Sequence, residues 1–133
     1  MRIAREILKS KDGKRIICID TDNWKAIFDY INQDVKHKKK FEYICGVLLD
    51  GHRNTEIYDK ENINEKCKDV TAMKFFKGQD NDRIYCKEMS LEDKTFVIIA
   101  AELFEKKKTQ KNSKKNKPII EKVGKYEYEI IRK

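Results

Sequence analysis

The sequence contains no run of 18 apolar residues, so no transmembrane helix is expected. Its first fifteen residues carry charges inside their apolar stretch and no small-residue cleavage site, which argues against a secretory signal. It also lacks a Gly-rich phosphate loop, a motif with paired carboxylates and a Ser/His/Asp signature. These absences argue against the enzyme classes that depend on such motifs. We expect a cytoplasmic protein without a membrane segment.

Four cysteines lie 19 to 27 residues apart and include no CxxC pair. This spacing is typical of reduced, partly buried thiols in a cytosolic protein. A zinc site that adds His37 or His52 is the less favoured alternative. Neither a metal nor another cofactor is expected.

Basic residues outnumber acidic ones, 31 against 23, which gives a formal net charge of +8 over 133 residues. Such an excess favours an anionic partner, either nucleic acid or an acidic protein. The length predicts one domain, and 39% hydrophobic residues suffice for one modest core.

The positive charge is concentrated in two blocks. Residues 1–40 hold 11 basic and 6 acidic side chains, and residues 105–117 hold 7 and 1. The stretch between them, 41–104, holds 9 and 13 and is mildly acidic. The tract at 105–117 is the strongest local signal in the sequence and predicts a basic contact surface.

The N-terminal third predicts a hairpin and then a helix. Residues 2–8 and 14–20 read as short strands around a turn that contains Gly13. A helix is expected from near Asn23, and the cations of residues 36–40 would end or follow it, at the negative end of the helix dipole. The apolar face of that helix comprises Trp24, Ile27, Phe28, Ile31 and Val35.

A second helical stripe follows, with Gly51 as its C-cap. Two strands are then expected at residues 70–76 and 83–88, on either side of a turn at 78–81. The stripe is made by Phe41, Ile44, Cys45, Leu48 and Leu49.

Residues 95–101 are the most apolar run and predict a central buried strand. Pro118 can open a last helix that Gly124 follows, and residues 126–131 alternate like a final strand. The order predicts an α+β domain, with N-terminal helices on one face of a small twisted antiparallel sheet and an extra N-terminal hairpin.

Three features of residues 69–123 form a recognisable pattern. KFF at 74–76, a turn and DRIY at 82–85 give a meander with an arginine early on a strand. FVIIAAELF at 96–104 is an apolar central strand, and EKKKTQK at 105–111 precedes a predicted helix. In these features the chain resembles the RelE/HigB superfamily of toxins from bacterial toxin–antitoxin systems.

The resemblance implies a single RelE/HigB-like domain over residues 1–133, with 69–133 as sheet and basic-loop core and 1–20 as a hairpin extension. It implies cleavage of mRNA, in many members on the ribosome, and neutralisation by a cognate antitoxin protein. Cleavage without metal would proceed by attack of the 2′-hydroxyl on its own phosphate, which needs a base, an acid and cations.

The resemblance also suggests roles for individual residues. Arg83 would clamp the phosphate, a lysine of the tract would stabilise the transition state or act as base, and tyrosines would stack on a base or donate a proton. The catalytic candidates are Arg83, Lys106, Lys107, Lys108, Tyr126 and Tyr128. The RNA-binding candidates are Tyr85, Lys87, Lys111, Lys114, Lys115, Lys38 and Lys39.

Alternatives stay open for these residues and for the whole chain. Arg83 could pair with Asp80, Asp82 or Glu88, the lysine tract could be a solvated loop, and the tyrosines could pack in the core. The chain could be a non-catalytic RNA- or ribosome-binding protein. It could also be a small interaction protein, of phage or mobile-element origin, whose basic blocks meet an acidic partner.

Overall fold

Seven strands and three helices make up residues 1–76, 82–106 and 116–133, which the computed structural model describes. The strands are β1 Arg2–Lys9, β2 Arg15–Asp20, β3 Tyr58–Lys60, β4 Val70–Lys74, β5 Arg83–Ser90, β6 Phe96–Phe104 and β7 Tyr128–Ile131. The helices are α1 Trp24–Ile31, α2 Val35–Leu49 and α3 Asn116–Lys125, with a 3-10 turn at Glu65–Cys67.

All seven strands form one sheet in the order β3-β4-β5-β6-β2-β1-β7. The α+β class is confirmed, and β6 is the central strand as expected. The prediction of a small antiparallel sheet is wrong, because β2 pairs with β6 and β1 pairs with β7 in parallel. The N-terminal hairpin is present, but β2 is buried along almost its whole length and lies inside the sheet. A strand that is apolar on both faces is suited to that interior position.

Helices cover both faces of the sheet, whereas the sequence predicted them on one. Helices α1 and α2 pack over one face and α3 packs over the other. The sheet has a hydrophobic core on each face, and alternate residues of β2 belong to each of them. Ile17 and Ile19 lie under α1 and α2, while Ile16 and Cys18 lie on the α3 side.

The first predicted helix is two helices with a break at residues 32–34. Asp34 accepts the backbone N–H of His37 at 2.8 Å and caps α2. Residues 36–40 therefore form the first turns of α2 rather than the end of a helix. Val35 is 67% exposed and Trp24 is 51% exposed, so neither belongs to the core, and the prediction for these two residues is wrong.

Gly124 lies inside α3 and not beyond its end. A Cβ at this position would stand 2.8 Å from the Lys66 carbonyl oxygen and 3.1 Å from Cys67 Sγ. Glycine thus permits α3 to approach the 3-10 turn closely. Strand β4 stops at Lys74, earlier than predicted, and the turn expected at 78–81 lies outside the described residues.

Candidate nucleic-acid interface

Arg83 and Lys106, two of the candidate residues, lie at one end of the sheet. Arg83, the first residue of β5, lies opposite Lys74 at the end of β4 and opposite Phe104 at the end of β6. Strand β2 also finishes at this end, because it runs parallel to β6. The segments that follow β2, β4 and β6 therefore leave the sheet side by side, a position at which α/β proteins often bind ligands.

A groove of about 320 Å³ lies at this end, between the first turns of α2 and the residues that follow β4. Asp34 fixes where α2 begins, so residues at three- and four-residue spacing face the same way. We call this surface the basic groove; it is lined by Lys36, His37, Lys39, Lys40, Tyr43, Phe75 and Phe76.

Cations and aromatic rings alternate along the basic groove. Lys36 Nζ lies 5.3 Å from the centroid of the Phe76 ring, and Lys40 Nζ lies 5.8 Å from that of Tyr43. Both distances fall within the range of cation–π contacts. Tyr43 is 53% exposed, so one of these rings is open to a ligand. The surface can bind phosphate and stack on a planar group.

The floor of the groove is a cluster of rings packed edge to face. Tyr30 meets His37 and Phe75 at centroid distances of 5.0 Å each, and His37 meets Phe76 at 5.4 Å. His37 Nδ1 also lies 2.7 Å from the Asp34 carboxylate. These contacts hold the first turn of α2 against the residues that follow β4, so the walls of the groove are set before any ligand arrives.

Asp82 joins this floor to the start of the lysine tract. Its carboxylate is buried, and it accepts the Tyr30 hydroxyl at 2.9 Å and the backbone N–H of Lys106 at 2.8 Å. Burial and the hydrogen bond to Asp82 raise the pKa of Tyr30. The tract therefore departs from a point tied to the groove through two hydrogen bonds.

Arg83 and Lys106 lie at the same end of neighbouring strands, because Arg83 opposes Phe104 and Lys106 follows two residues later. The Arg83 guanidinium donates to Glu61 at 2.9 Å, an acidic partner that was not considered from the sequence. A phosphate at Arg83 would have to compete with that carboxylate.

Tyr126 and Tyr128 belong to a separate network on the α3 face. The Tyr128 hydroxyl donates to Asp20 at 2.6 Å, and the Tyr126 hydroxyl donates to Glu102. Arg2 donates to Asp20 at 2.7 Å and stacks over the Tyr126 ring at 4.0 Å. Burial and these carboxylates raise the pKa of both tyrosines. Both phenols are thereby weaker acids, which suits them to joining strands better than to proton donation.

Two predicted RNA contacts make structural contacts within the protein instead, one buried and one half-buried. Tyr85 has no exposed surface and its ring packs against Phe104, so an RNA base cannot stack on it. Lys87 donates to the carbonyl oxygens of Gly124, at 3.0 Å, and of Tyr126, and burial lowers its pKa. It stabilises the end of α3, where carbonyl groups lack helical partners.

The remaining candidates divide between the surface and the undescribed tract. Lys39 is exposed on α2 and lines the basic groove, and Lys38 is exposed on the same helix but does not line the groove. The predictions for Lys107, Lys108, Lys111, Lys114 and Lys115 fall outside the described residues.

A second cleft, of about 190 Å³, lies near the start of β2 and the end of α2. Its polar groups bind one another: Tyr58 donates to Glu88 at 2.7 Å and accepts from Thr71 at 2.6 Å, and Arg15 donates to the Leu48 carbonyl at 2.7 Å. Because a carboxylate lines this cleft, it is less suited to a polyanion than the basic groove is.

Comparison with known proteins finds no matching family model, curated protein or solved structure. Across residues 1–76, 82–106 and 116–133, no helix is long and apolar enough to cross a membrane. Over the same ranges, no group of three or more His, Cys, Asp or Glu side chains is placed to hold a metal ion.

Proposed function

We propose that the protein binds RNA through the basic groove and the lysine tract that begins at Lys106. The observation that carries this proposal is the convergence of three lysines and three aromatic side chains around one groove. Lysines bind phosphates as compact point charges, and exposed rings stack on bases.

The electrostatics of α2 support an anionic ligand. Lys36, Lys38 and Lys39 are exposed in the first two turns of the helix, where the helix dipole is also positive. Their mutual repulsion is relieved when a polyanion binds, and the net charge of +8 adds long-range attraction. The choice of RNA over DNA depends on the resemblance to RelE/HigB toxins.

The test is RNA binding by fluorescence anisotropy over a range of salt concentrations. Replacing Lys36, Lys39 and Lys40, the lysines that line the groove, by glutamine should weaken binding and make the slope of log Kd against log salt shallower by about 2, since each phosphate contact contributes about 0.7. A matched variant replaces Lys9, Lys11 and Lys14 by glutamine. These lysines are exposed in the hairpin at the opposite end of the sheet, so their loss should alter the slope much less. Equal losses in the two variants would show that net charge alone attracts RNA.

A second candidate function is cleavage of mRNA by a toxin that an antitoxin neutralises, on or off the ribosome. It is favoured by the position of Arg83 and Lys106 at the same end of neighbouring strands. For this activity RNA would displace Glu61 from Arg83, and the guanidinium would clamp the scissile phosphate. A neutral lysine of residues 106–108 would take the 2′-hydroxyl proton, the 2′-oxygen would bond to phosphorus as the P–O5′ bond breaks, and the 5′-oxygen would leave with a proton from water.

Induced expression followed by mRNA 5′-end mapping tests cleavage. We expect growth arrest and new mRNA ends that disappear in Arg83→Ala and in the variant with alanine at positions 106, 107 and 108. A folded wild-type protein that yields no arrest and no new ends would exclude the toxin activity and leave RNA binding in place.

A further inference from the structure

The aromatic side chains of the basic groove are not explained by phosphate binding. Lysines suffice to bind the RNA backbone, and a tyrosine can add a hydrogen bond from its hydroxyl, but the face of an exposed ring adds nothing to that contact. Tyr43 nevertheless lies 53% exposed on the same wall as Lys40, one helical turn further along α2. An exposed ring among cations is the arrangement that single-strand-binding proteins use to hold bases.

The geometry suits one stacked nucleotide. Each of two rings, Tyr43 and Phe76, has a lysine nitrogen within 6 Å of its centroid. A base stacked on the face of the exposed Tyr43 ring that Lys40 does not cover would have its own phosphate near a cation. The volume of about 320 Å³ lies at the lower end of the range of ligand pockets, so it fits a nucleotide rather than a large ligand.

We propose that the basic groove binds an unpaired RNA base, stacked on Tyr43, so that the protein prefers single-stranded RNA to duplex. This inference rests on the proposed RNA binding and goes beyond it. In an A-form duplex the bases are stacked on one another and are not open to a side chain, so only the phosphates could reach the lysines.

The experiment compares three RNA probes of equal length in an anisotropy assay with the full chain: a single strand, a duplex and an abasic strand that keeps the phosphates. The wild type should bind the single strand tightest. Tyr43→Ala should weaken that complex about 5- to 150-fold and leave the duplex and abasic complexes within twofold. Tyr43→Phe keeps the ring and should bind like the wild type. Because Tyr43 is exposed, its replacement by alanine should not unfold the protein, so unfolding would not account for a loss of binding.

The outcomes separate the inference from the function on which it rests. Equal wild-type affinity for all three probes, or a Tyr43→Ala protein that binds the single strand normally, overturns base stacking and leaves phosphate-based RNA binding intact. Failure of the wild type to bind any probe overturns the proposed function and the inference together. If Tyr43→Ala lowered the affinity for all three probes equally, stacking would also be contradicted, because the abasic strand has no base that Tyr43 could hold.

Discussion

Asp20 joins three neighbouring strands, and its replacement by asparagine should destabilise the protein. The carboxylate is completely buried at the end of β2. One oxygen accepts Arg2 Nε from β1 at 2.7 Å and the Tyr128 hydroxyl from β7 at 2.6 Å. The other accepts the backbone N–H groups of Asp22 at 2.8 Å and Asn23 at 3.2 Å.

Asparagine has the same shape but cannot satisfy this arrangement. Whichever way the amide turns, its NH₂ group faces two donors, and the Arg2 charge loses its partner. Breaking a buried ion pair costs about 3–5 kcal/mol. Because the Arg2 side chain is 25% exposed, water replaces part of the interaction, and we expect a loss of about 3 kcal/mol. For a chain of this length that corresponds to a decrease in Tm of about 10 °C.

Urea and thermal unfolding, followed by circular dichroism, measure this effect. The matched control is Asp22→Asn, whose carboxylate is 70% exposed and lies 3.6 Å from Arg2. An exposed pair of this kind contributes about 0–1 kcal/mol, so the control should remain close to wild type. If Asp20→Asn were as stable as the control, the network would not hold β1, β2 and β7 together, and our account of the two tyrosines would be wrong.

Three further predictions concern packing, pH and thiol chemistry. Gly124→Ala should lower the free energy of unfolding by about 1–2 kcal/mol, because the added Cβ would meet the backbone of the 3-10 turn. Gly46→Ala, with open space around the glycine, should raise the free energy of unfolding by about 0.5–1 kcal/mol. Urea titration of the two variants measures both changes. Hydrogen bonds from Thr95 and Arg132 lower the pKa of Asp93 to about 2, so they stabilise the folded state above pH 4 and lose that effect as the pH falls through 2. Asp93→Asn should therefore be less stable than wild type at pH 5, with a difference that shrinks below pH 4 and vanishes below pH 2; a constant difference would contradict this. The four cysteines are free and buried, so a thiol reagent should label them only after unfolding, and rapid labelling of the native protein would show that the cores open readily.

Much of the fold could be predicted from local patterns. The hairpin turn with Gly13, the meander of β4 and β5, and the central β6 all follow from turn chemistry and apolar runs that short-range physics controls. The pairing of β2 with β6 could not be predicted this way, since nothing local specifies which distant strand an apolar strand joins. The cap at Asp34 was missed because Val35 continues the apolar spacing, although a side-chain cap outweighs one exposed apolar residue.

The candidate site, like the fold, could be predicted from the sequence only in part. The sequence indicated a basic cluster at residues 36–40, but it placed the cluster at the wrong end of a helix, so its aromatic neighbours were not seen. Tyr43 could have been found once the helix start was known, from its spacing to Lys36 and Lys40. Phe75 and Phe76 come from a strand end thirty residues away, and only the tertiary structure brings them to the groove.

Photo-crosslinking of 4-thiouridine-labelled RNA, followed by peptide mass spectrometry, tests most directly whether the basic groove binds RNA. RNA bound in the basic groove should give adducts on residues 36–43 and at Phe75 or Phe76, and these adducts should decrease when Lys36, Lys39 and Lys40 are replaced by glutamine. Adducts confined to the hairpin of residues 1–20, or unchanged in that variant, would contradict it.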